Sequence, residues 1–254
     1  MKALIFAAGL GTRLKPITDT LPKALVPVCG KPLIEHVSRK LRDHGIDEAV
    51  VNVHHFADKI EAWISSQDIM PMTVSDERAL LLETGGGVLH ARPSLEGCGS
   101  FLVHNVDIIS DLDLRWFASK EVKGALATLL VSGRETSRYL LFDRNDMRLV
   151  GWTNVVTGEV RTPYPGLDMT KCHRYAFSGI HILSDTVFDI MEKYAREKGL
   201  CEDTDTPRFP IMDFYLSVCA AYGIYGVVAD DLHLIDVGKL DTLEQAEKAL
   251  TSFC

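Results

Sequence analysis

The sequence predicts an α/β fold, a doubly wound domain around a mixed, mostly parallel sheet with a smaller lobe attached. A continuous apolar run, Ala3–Ala8, opens the chain and suits a strand buried on both faces of a parallel sheet. Further apolar runs alternate with stretches of helical periodicity, which predicts right-handed βαβ units. The 254 residues, 46% of them hydrophobic, are enough for one domain over 1–254.

In the first half of the chain, predicted helices and strands alternate. A helix begins after Pro32, which suits a first helical turn, and Gly45 ends it. A strand over 48–53, a helix over 57–64 and a short strand over 72–75 follow. This order predicts that the first strands of the sheet are parallel to one another.

The second half is richer in strands. Asn145 and Asp146 mark the turn of a hairpin between residues 139–143 and 148–152. Residues 153–171 are rich in Thr, Gly and Pro without periodicity, which predicts a flexible flap. The remaining predicted strands are an apolar strand that begins at Phe101 and ends in polar groups at Asn105 and Asp107, and strands over 124–131, 174–183 and 225–229. The remaining predicted helices cover 114–120, 185–197, 211–221 and 241–250, with a loop over 201–210.

Composition excludes several classes of protein. The formal net charge is −8, which argues against nucleic acid as a partner. The six cysteines lack C-x-x-C or zinc-type spacing, so we expect reduced thiols and a cytoplasmic protein. The N-terminus has no signal-peptide pattern, and no apolar run is long enough for a membrane helix. No spare apolar face is evident, so the oligomeric state, a homo-oligomer included, stays open.

The loop after the first strand carries the chemistry of an anion-binding site. Gly9 and Gly11 let the backbone turn sharply and approach a ligand without a Cβ in the way. Successive free N–H groups in such a loop form a cradle for anions. Arg13 adds a planar fork for phosphate oxygens, and Lys23 adds a mobile point charge.

Two familiar phosphate motifs do not match this loop. The dinucleotide fingerprint needs a third glycine where Leu14 stands, and Pro16 and Pro22 would break the helix that must follow. The ATPase-type G-x-x-x-x-G-K-[ST] motif is absent. A glycine pair alone is equally compatible with a plain strand-to-helix turn.

The longer string over residues 7–23, A-A-G-x-G-T-R-x-x-P-x-T-x-x-x-P-K, resembles the signature of nucleotidylyltransferases that activate sugar 1-phosphates. The resemblance implies a Rossmann-like nucleotidyltransferase domain whose small lobe faces the sugar. It implies that the loop wraps a nucleoside triphosphate and that Arg13 and Lys23 are catalytic. The implied phosphate-side residues are Ala7, Ala8, Gly9, Gly11, Thr12, Arg13 and Lys23.

A second motif, L-E-T-G-G-G over residues 82–87, resembles the base-side segment of one subgroup of these enzymes. That subgroup includes N-acetylmuramate-1-phosphate uridylyltransferases and mannose- or heptose-1-phosphate guanylyltransferases. We expect the glycines to form a backbone wall against a flat nucleobase, with Thr84, Gly85 and Gly86 in contact with the nucleotide. Glu83 is a candidate acceptor for a base N–H or a sugar hydroxyl, and an equally good candidate for a solvated side chain.

Two aspartates after predicted strands are the candidate metal ligands. Asn105-Val106-Asp107 resembles the family's Asn-Gly-Asp, with valine in place of glycine. Ile235-Asp236-Val237-Gly238 resembles a late Asp-Val-Gly motif whose aspartate is the second ligand. A hard dication such as Mg²⁺ takes one or two carboxylates and leaves its other positions to water and phosphates. The resemblance implies that Asp107 and Asp236 bind Mg²⁺ and that Asn105 contacts the nucleotide.

The sugar side is the least defined part of the sequence. The family's Glu-Lys-Pro motif is absent. The segment Phe177-Ser178-Gly179-Ile180 resembles a sugar-side F-x-G-I strand, which makes Ser178 and Gly179 candidate sugar contacts beside Glu83. We assign no catalytic role to any of the nine histidines, because a sugar 1-phosphate is already an anion and needs no general base. His54-His55 lacks a carboxylate or a third ligand at metal spacing, which favours core or surface histidines over a metal site.

These observations predict a Mg²⁺-dependent transfer of a nucleotidyl group from an NTP to a sugar 1-phosphate. UTP and an N-acetylmuramate-type acceptor are favoured by the resemblance. Guanylyl transfer to mannose or heptose 1-phosphate is the alternative within the same class. A catalytically silent nucleotide-sugar sensor is the alternative of another class, and intact Arg13, Lys23, Asp107 and Asp236 argue against it.

Overall fold

The computed structural model describes residues 1–201 and 206–252, with side chains through residue 250. Fourteen strands lie in these ranges: β1 Lys2–Phe6, β2 Pro27–Val28, β3 Lys31–Pro32, β4 Glu48–Val53, β5 Met72–Asp76, β6 Ser100–Asn105, β7 Ile108–Ser110, β8 Ala127–Ser132, β9 Arg138–Asp143, β10 Leu149–Asn154, β11 Val160–Arg161, β12 Cys172–Ser184, β13 Ile224–Val228 and β14 Leu234–Asp236. Residues 202–205 of the predicted loop and Cys254 lie outside the described residues.

Eight α-helices are described: α1 Leu33–Asp43, α2 Ala57–Ser66, α3 Glu83–His90, α4 Arg92–Leu95, α5 Leu114–Ser119, α6 Val187–Glu197, α7 Ile211–Val218 and α8 Leu240–Ser252. Short 3₁₀ turns occupy Thr12–Leu14, Ile17–Asp19 and Lys23–Leu25 in the loop after β1, and Met169–Lys171 before β12. Within the described ranges, no helix combines the length and the apolar character that crossing a membrane requires.

Ten of the strands form one mixed sheet, as predicted. Strands β5, β4, β1 and β6 are neighbours in that order, and all three pairs are parallel. Strand β12 then lies antiparallel to β6 and to β8, and β13 continues parallel to β8. The first residues of β12 pair instead with β9, which begins the smaller lobe of β9, β10 and β11.

Alternation along β1 explains why the sheet is covered on both faces. Ala3 and Ile5 point into one core cluster, and Leu4 points into the other; all three are fully buried. Helices α1, α2, α5 and α8 contribute to the first cluster, and α3, α4, α6 and α7 contribute to the second. The doubly wound architecture predicted from the apolar runs is confirmed.

One local expectation differs from the structure. Residues 153–171 are not wholly irregular, because Val160 and Arg161 form β11 and pair with Thr153 and Trp152 of β10. Asp113 caps helix α5, and its Oδ1 accepts from the backbone N–H groups of Arg115 and Trp116 at 2.8 and 3.1 Å. Asp111 does not share that capping role, because it contacts His233 before β14.

Candidate active site

A cleft of about 500 Å³ opens at the edge of the sheet where β1 and β6 end. Ligands of open α/β sheets gather at this edge because loops diverge from the carboxyl ends of the strands. Phe6, Leu10, Asn52, Leu81, Val106, Pro210 and Gly238 also line the cleft. The predicted site residues that line it are Ala7, Ala8, Gly9, Gly11, Thr12, Arg13, Lys23, Glu83, Thr84, Asn105 and Asp107.

The two glycines of the loop after β1 play different parts. Gly11 has φ +63°, and a Cβ there would lie 2.9 Å from Thr18 Cγ2. The Gly11 carbonyl accepts from the Thr18 hydroxyl at 2.9 Å and from the Leu14 N–H at 2.8 Å. Gly11 is therefore required by the turn itself. A Cβ at Gly9 would meet nothing within 4 Å, so Gly9 leaves open space on the cleft side.

Asn52 and Glu77 hold the loop after β1 in place through buried hydrogen bonds. The sequence analysis identified neither residue. The Asn52 Oδ1 accepts from the N–H groups of Ala7 and Ala8 at 2.7 and 3.2 Å. Its Nδ2 donates to Glu77 Oε1 at 2.8 Å, and the Leu82 N–H donates to Glu77 Oε2 at 3.3 Å. Both side chains are buried, and burial raises the pKa of the Glu77 carboxyl. An asparagine inside the apolar strand β4 was the available signal.

On the side where a Cβ would point, Gly85 and Gly86 of α3 meet other parts of the protein. A Cβ on Gly85 would lie 2.4 Å from the Phe209 ring, and one on Gly86 would lie 2.4 Å from the Pro207 carbonyl oxygen. The N–H groups of Gly85 and Gly86 both point to the Phe209 carbonyl, at 2.8 and 3.2 Å. Side chains are excluded at Gly85 and Gly86 because Phe209 and Pro207 of the same chain pack against them. Contact of Gly85 and Gly86 with a nucleotide stays a prediction.

Thr84 and Glu83, at the start of α3, do reach the cleft. The Thr84 Oγ1 accepts from the Ile211 N–H at 2.9 Å and so joins α3 to the first turn of α7. Glu83 has φ +61° and pairs with Arg208, whose Nη2 lies 3.0 Å from Glu83 Oε1. Glu83 is therefore an ion-paired side chain at the rim.

Lys23 and Asp107 form an ion pair in the floor of the cleft. The Lys23 Nζ donates to Asp107 Oδ2, and Lys23 is buried. The 3₁₀ turn that starts at Lys23 and the end of β6 place the two groups opposite each other. The structure therefore corrects the expectation of a mobile charge: Lys23 is held by the candidate metal ligand.

A two-stranded ribbon brings Asp236 beside Asp107. Strand β14 pairs antiparallel with β7, Asp236 lies opposite Ile108, and the Val237 N–H donates to the Asp107 carbonyl at 2.8 Å. Burial and the charge of Asp107 raise the pKa of the Asp236 carboxyl. A Cβ on Gly238 would lie 2.7 Å from both Asp236 Oδ1 and Arg13 Nη2. Gly238 therefore lets the Arg13 guanidinium lie beside the acidic pair.

The acidic pair fits a hard cation. Across the described ranges there is no group of three or more His, Cys, Asp or Glu side chains that could hold a metal ion. Two carboxylates are nevertheless the usual protein share of a Mg²⁺ site that binds substrate phosphates. Burial and the neighbouring charge of Asp107 raise the pKa of the Asp236 carboxyl, and a bound cation would favour its charged form.

The sugar-side candidates Ser178 and Gly179 are not among the residues that line the cleft. Ser178 is buried, and its Oγ has no partner among the described residues. Gly179 has φ +72° at a register shift of β12, and a Cβ there would lie 2.8 Å from Asn105 Nδ2. The glycine is thus required by Asn105, which lines the cleft from the neighbouring strand. Direct contact of Ser178 or Gly179 with a sugar stays a prediction.

Fold and site together define a doubly wound α/β protein in which a glycine loop, two cations and Asp107 line one cleft, with Asp236 beside Asp107. Residues 2–142 match the sequence profile of the Nucleotidyl transferase family. Because the match covers more than half of the chain, the chain belongs to this family.

Curated relatives give two kinds of match. An N-acetylmuramate alpha-1-phosphate uridylyltransferase from Caulobacter vibrioides is 47% identical over 111 residues, 42% of this chain and 46% of that protein. The bifunctional protein GlmU from Methanococcus vannielii is 30% identical over 207 residues, 81% of this chain and 46% of that protein. Each match spans less than half the length of the relative.

Solved structures share the fold at low identity. HddC from Yersinia pseudotuberculosis superposes with a TM-score of 0.71 at 22% identity, covering 98% of this chain and 99% of that chain. The inositol-1-phosphate CTP transferase from T. maritima superposes with a TM-score of 0.76 at 13% identity, covering 99% and 95%. These likenesses support the whole doubly wound architecture, the smaller lobe included.

Proposed function

We propose that this protein is a Mg²⁺-dependent sugar-1-phosphate nucleotidylyltransferase that joins UTP and N-acetylmuramate 1-phosphate, with release of pyrophosphate. The observation that carries the proposal is that Arg13, Lys23 and Asp107 line one cleft, with Asp236 held beside them through the β7–β14 pairing and Gly238. The family and the printed names of the relatives support the reaction class.

The proposed chemistry is an in-line displacement at the α-phosphorus of the nucleotide. A phosphate oxygen of the sugar 1-phosphate forms the new P–O bond, and the bond to the β-phosphate bridge breaks as pyrophosphate leaves. The nucleophile is already an anion, so the chain need not supply a general base. Its residues act by holding the two substrates in line and by neutralising charge.

Each charged residue has a distinct part in that scheme. Arg13, beside Gly238 and the acidic pair, neutralises the phosphates that become pyrophosphate. Lys23 exchanges its contact with Asp107 for phosphate oxygens when the nucleotide enters. Asp107 and Asp236 would hold Mg²⁺, which supplies Lewis-acid neutralisation and a template for the phosphates. Asn52 acts indirectly, because it fixes the N–H groups of Ala7 and Ala8 and so shapes the loop.

Two other functions compete with the proposal. Guanylyl transfer to mannose 1-phosphate is favoured by a probable mannose-1-phosphate guanylyltransferase 2 from Arabidopsis thaliana, 36% identical over 153 residues, 55% of this chain and 41% of that protein. A silent sensor of nucleotide sugars would need the cleft but not the paired carboxylates. The intact acidic pair and its two cations therefore favour an enzyme over a sensor.

A matrix of nucleotides against sugar 1-phosphates tests the proposal, with pyrophosphate release as the readout. UTP, GTP, CTP and dTTP are combined with the 1-phosphates of N-acetylmuramate, N-acetylglucosamine, glucose and mannose in the presence of Mg²⁺. We expect the highest kcat/KM for UTP with N-acetylmuramate 1-phosphate, and loss of the signal in EDTA. Asp107→Asn is the matched inactive control. Preference for GTP with mannose 1-phosphate would replace the proposal, and binding without any pyrophosphate release would favour the sensor.

A further inference from the structure

Arg134 is a cation at the cleft edge of the sheet to which the phosphate chemistry assigns no task. Strand β8 is antiparallel to β12, and β12 is antiparallel to β6, so β8 runs in the same direction as β6 and β1. The carboxyl end of β8 at Ser132 therefore lies at the same edge as the ends of β1 and β6. Arg134 follows two residues later.

The backbone of β12 anchors one side of the Arg134 guanidinium. Its Nη2 donates to the Phe177 carbonyl oxygen at 2.9 Å. That carbonyl precedes the Ser178-Gly179 step, whose glycine packs on Asn105 in the wall of the cleft. The guanidinium is thus tied to the part of the sheet that lies beyond the acidic pair, on the side of the smaller lobe.

The rest of the guanidinium is available to a ligand. Arg134 is exposed, and within the described ranges no carboxylate lies within 4 Å of it. Arg13 and Lys23 belong to the loop after β1, whereas Arg134 follows β8, on the side of the sheet where β12 leads to the smaller lobe.

The acceptor in the proposed reaction carries a carboxylate that a cation such as Arg134 can bind. N-acetylmuramate is N-acetylglucosamine with a lactyl ether, and the lactyl carboxylate is its only charge besides the phosphate. A planar guanidinium with free N–H donors binds a carboxylate in bidentate fashion. A site that binds this carboxylate discriminates against an acceptor that lacks it.

We propose that Arg134 is the specificity-determining residue that binds the lactyl carboxylate of the acceptor sugar. The inference rests on the proposed function and deepens it, because it assigns an anionic sugar to the cleft. Arg134 would act on acceptor binding and orientation, while the phosphate loop acts on the nucleotide. Its loss should therefore change the choice between sugars and leave the nucleotide KM unchanged.

The test compares three acceptors that differ only around this group: N-acetylmuramate 1-phosphate, its neutral lactyl amide and N-acetylglucosamine 1-phosphate. In the wild type we expect a kcat/KM about 10- to 100-fold higher for the acid than for the amide, as for one charged hydrogen-bonded contact. In Arg134→Ala this ratio should fall to near one, chiefly through the acceptor KM. Arg134→Lys should restore part of it, and Arg144→Ala, an exposed arginine in the β9–β10 turn, should leave it unchanged.

Product binding supplies a readout that does not depend on turnover. UDP-N-acetylmuramate should bind the wild type more tightly than UDP-N-acetylglucosamine in calorimetric titration, and Arg134→Ala should remove the difference. An equal loss for all three acceptors would mean that Arg134 contacts the 1-phosphate, which overturns the inference. A wild type that does not distinguish acid from amide overturns it as well, without any variant. The proposed function fails separately, when no nucleotide yields pyrophosphate with any of these acceptors.

Discussion

Exchanging the two members of the Asn52–Glu77 pair tests whether this buried contact holds the loop after β1. In Asn52→Asp, one carboxylate oxygen still accepts from the N–H groups of Ala7 and Ala8. The other oxygen then faces Glu77 Oε1 at the 2.8 Å now spanned by an N–H donor. Adding Glu77→Gln restores a donor there, and the glutamine oxygen can still accept from Leu82. The double variant therefore has the same charge and the same number of hydrogen bonds as the wild type.

The expected magnitude follows from the bond that the single substitution removes. A hydrogen bond to a charged acceptor contributes about 1.5–3 kcal/mol, and two carboxylates in contact add repulsion. Asn52→Asp should thus lower the free energy of unfolding by about 2–4 kcal/mol, and the melting temperature by about 4–15 °C for a chain of this size. The double variant should regain most of this loss.

The pH dependence has a definite sign. In Asn52→Asp the pair keeps one proton in the folded state, so its folded pKa lies above the unfolded value. A raised folded pKa gives stability that is present at low pH and is lost as the pH rises. The deficit relative to wild type should therefore be larger at pH 8 than at pH 5. In the wild type, the raised pKa of Glu77 also makes the free energy of unfolding fall as the pH rises, but by a smaller amount.

Urea unfolding at pH 5, 6.5 and 8 measures these differences for the wild type, both single variants and the double variant. The reasoning is refuted if Asn52→Asp is as stable as wild type at pH 8, or if adding Glu77→Gln does not restore the lost stability.

A double variant with restored stability also allows a test of nucleotide binding. It carries its negative charge at residue 52, in the lining of the cleft, and should raise the KM for the nucleotide.

Three further predictions concern the site itself. Asp107→Asn and Asp236→Asn should each nearly abolish pyrophosphate release, and the double variant should be little worse than either, because the carboxylates act as a unit; independent multiplicative losses in single-turnover assays would contradict this. Lys23→Ala should lower turnover by roughly 10²-fold or more, as measured by steady-state pyrophosphate release; near-normal rates would remove its role. Gly86→Val should destabilise the fold, because its Cβ meets the Pro207 carbonyl oxygen at 2.4 Å. An unchanged melting temperature in calorimetry, together with a raised nucleotide KM, would contradict this and support the predicted base wall.

The sequence was informative where a single segment specifies its own environment. The apolar run of β1 and the helical periodicities predict the doubly wound sheet, and the charged loop predicts residues that the structure brings to one cleft. Asp107 and Asp236 were singled out by short motifs, although 128 residues separate them. Their juxtaposition depends on the β7–β14 pairing, which no local pattern shows.

Sequence patterns do not show the direction in which a residue faces within the fold. A glycine run shows that something approaches closely, but it does not show from which side, and at Gly85 and Gly86 the neighbours are Phe209 and Pro207. Lys23 was predicted to be a mobile point charge, because its partner Asp107 is 84 residues away in the sequence. Asn52 was overlooked because a single polar residue in an apolar strand forms no repeating pattern. Its hydrogen-bond partners therefore cannot be predicted from the sequence.

The position of β12 between β6 and β8 has a consequence for synthesis of the chain. Strands β1, β4, β5 and β6 are complete once residue 105 has left the ribosome, but β6 then still has one unpaired edge. That edge is covered only when residues 180–184 of β12 arrive. An apolar strand with free N–H and C=O groups is prone to pair with other chains. We therefore expect co-translational chaperone contact to be concentrated in this interval, and nascent chains stalled within it to aggregate.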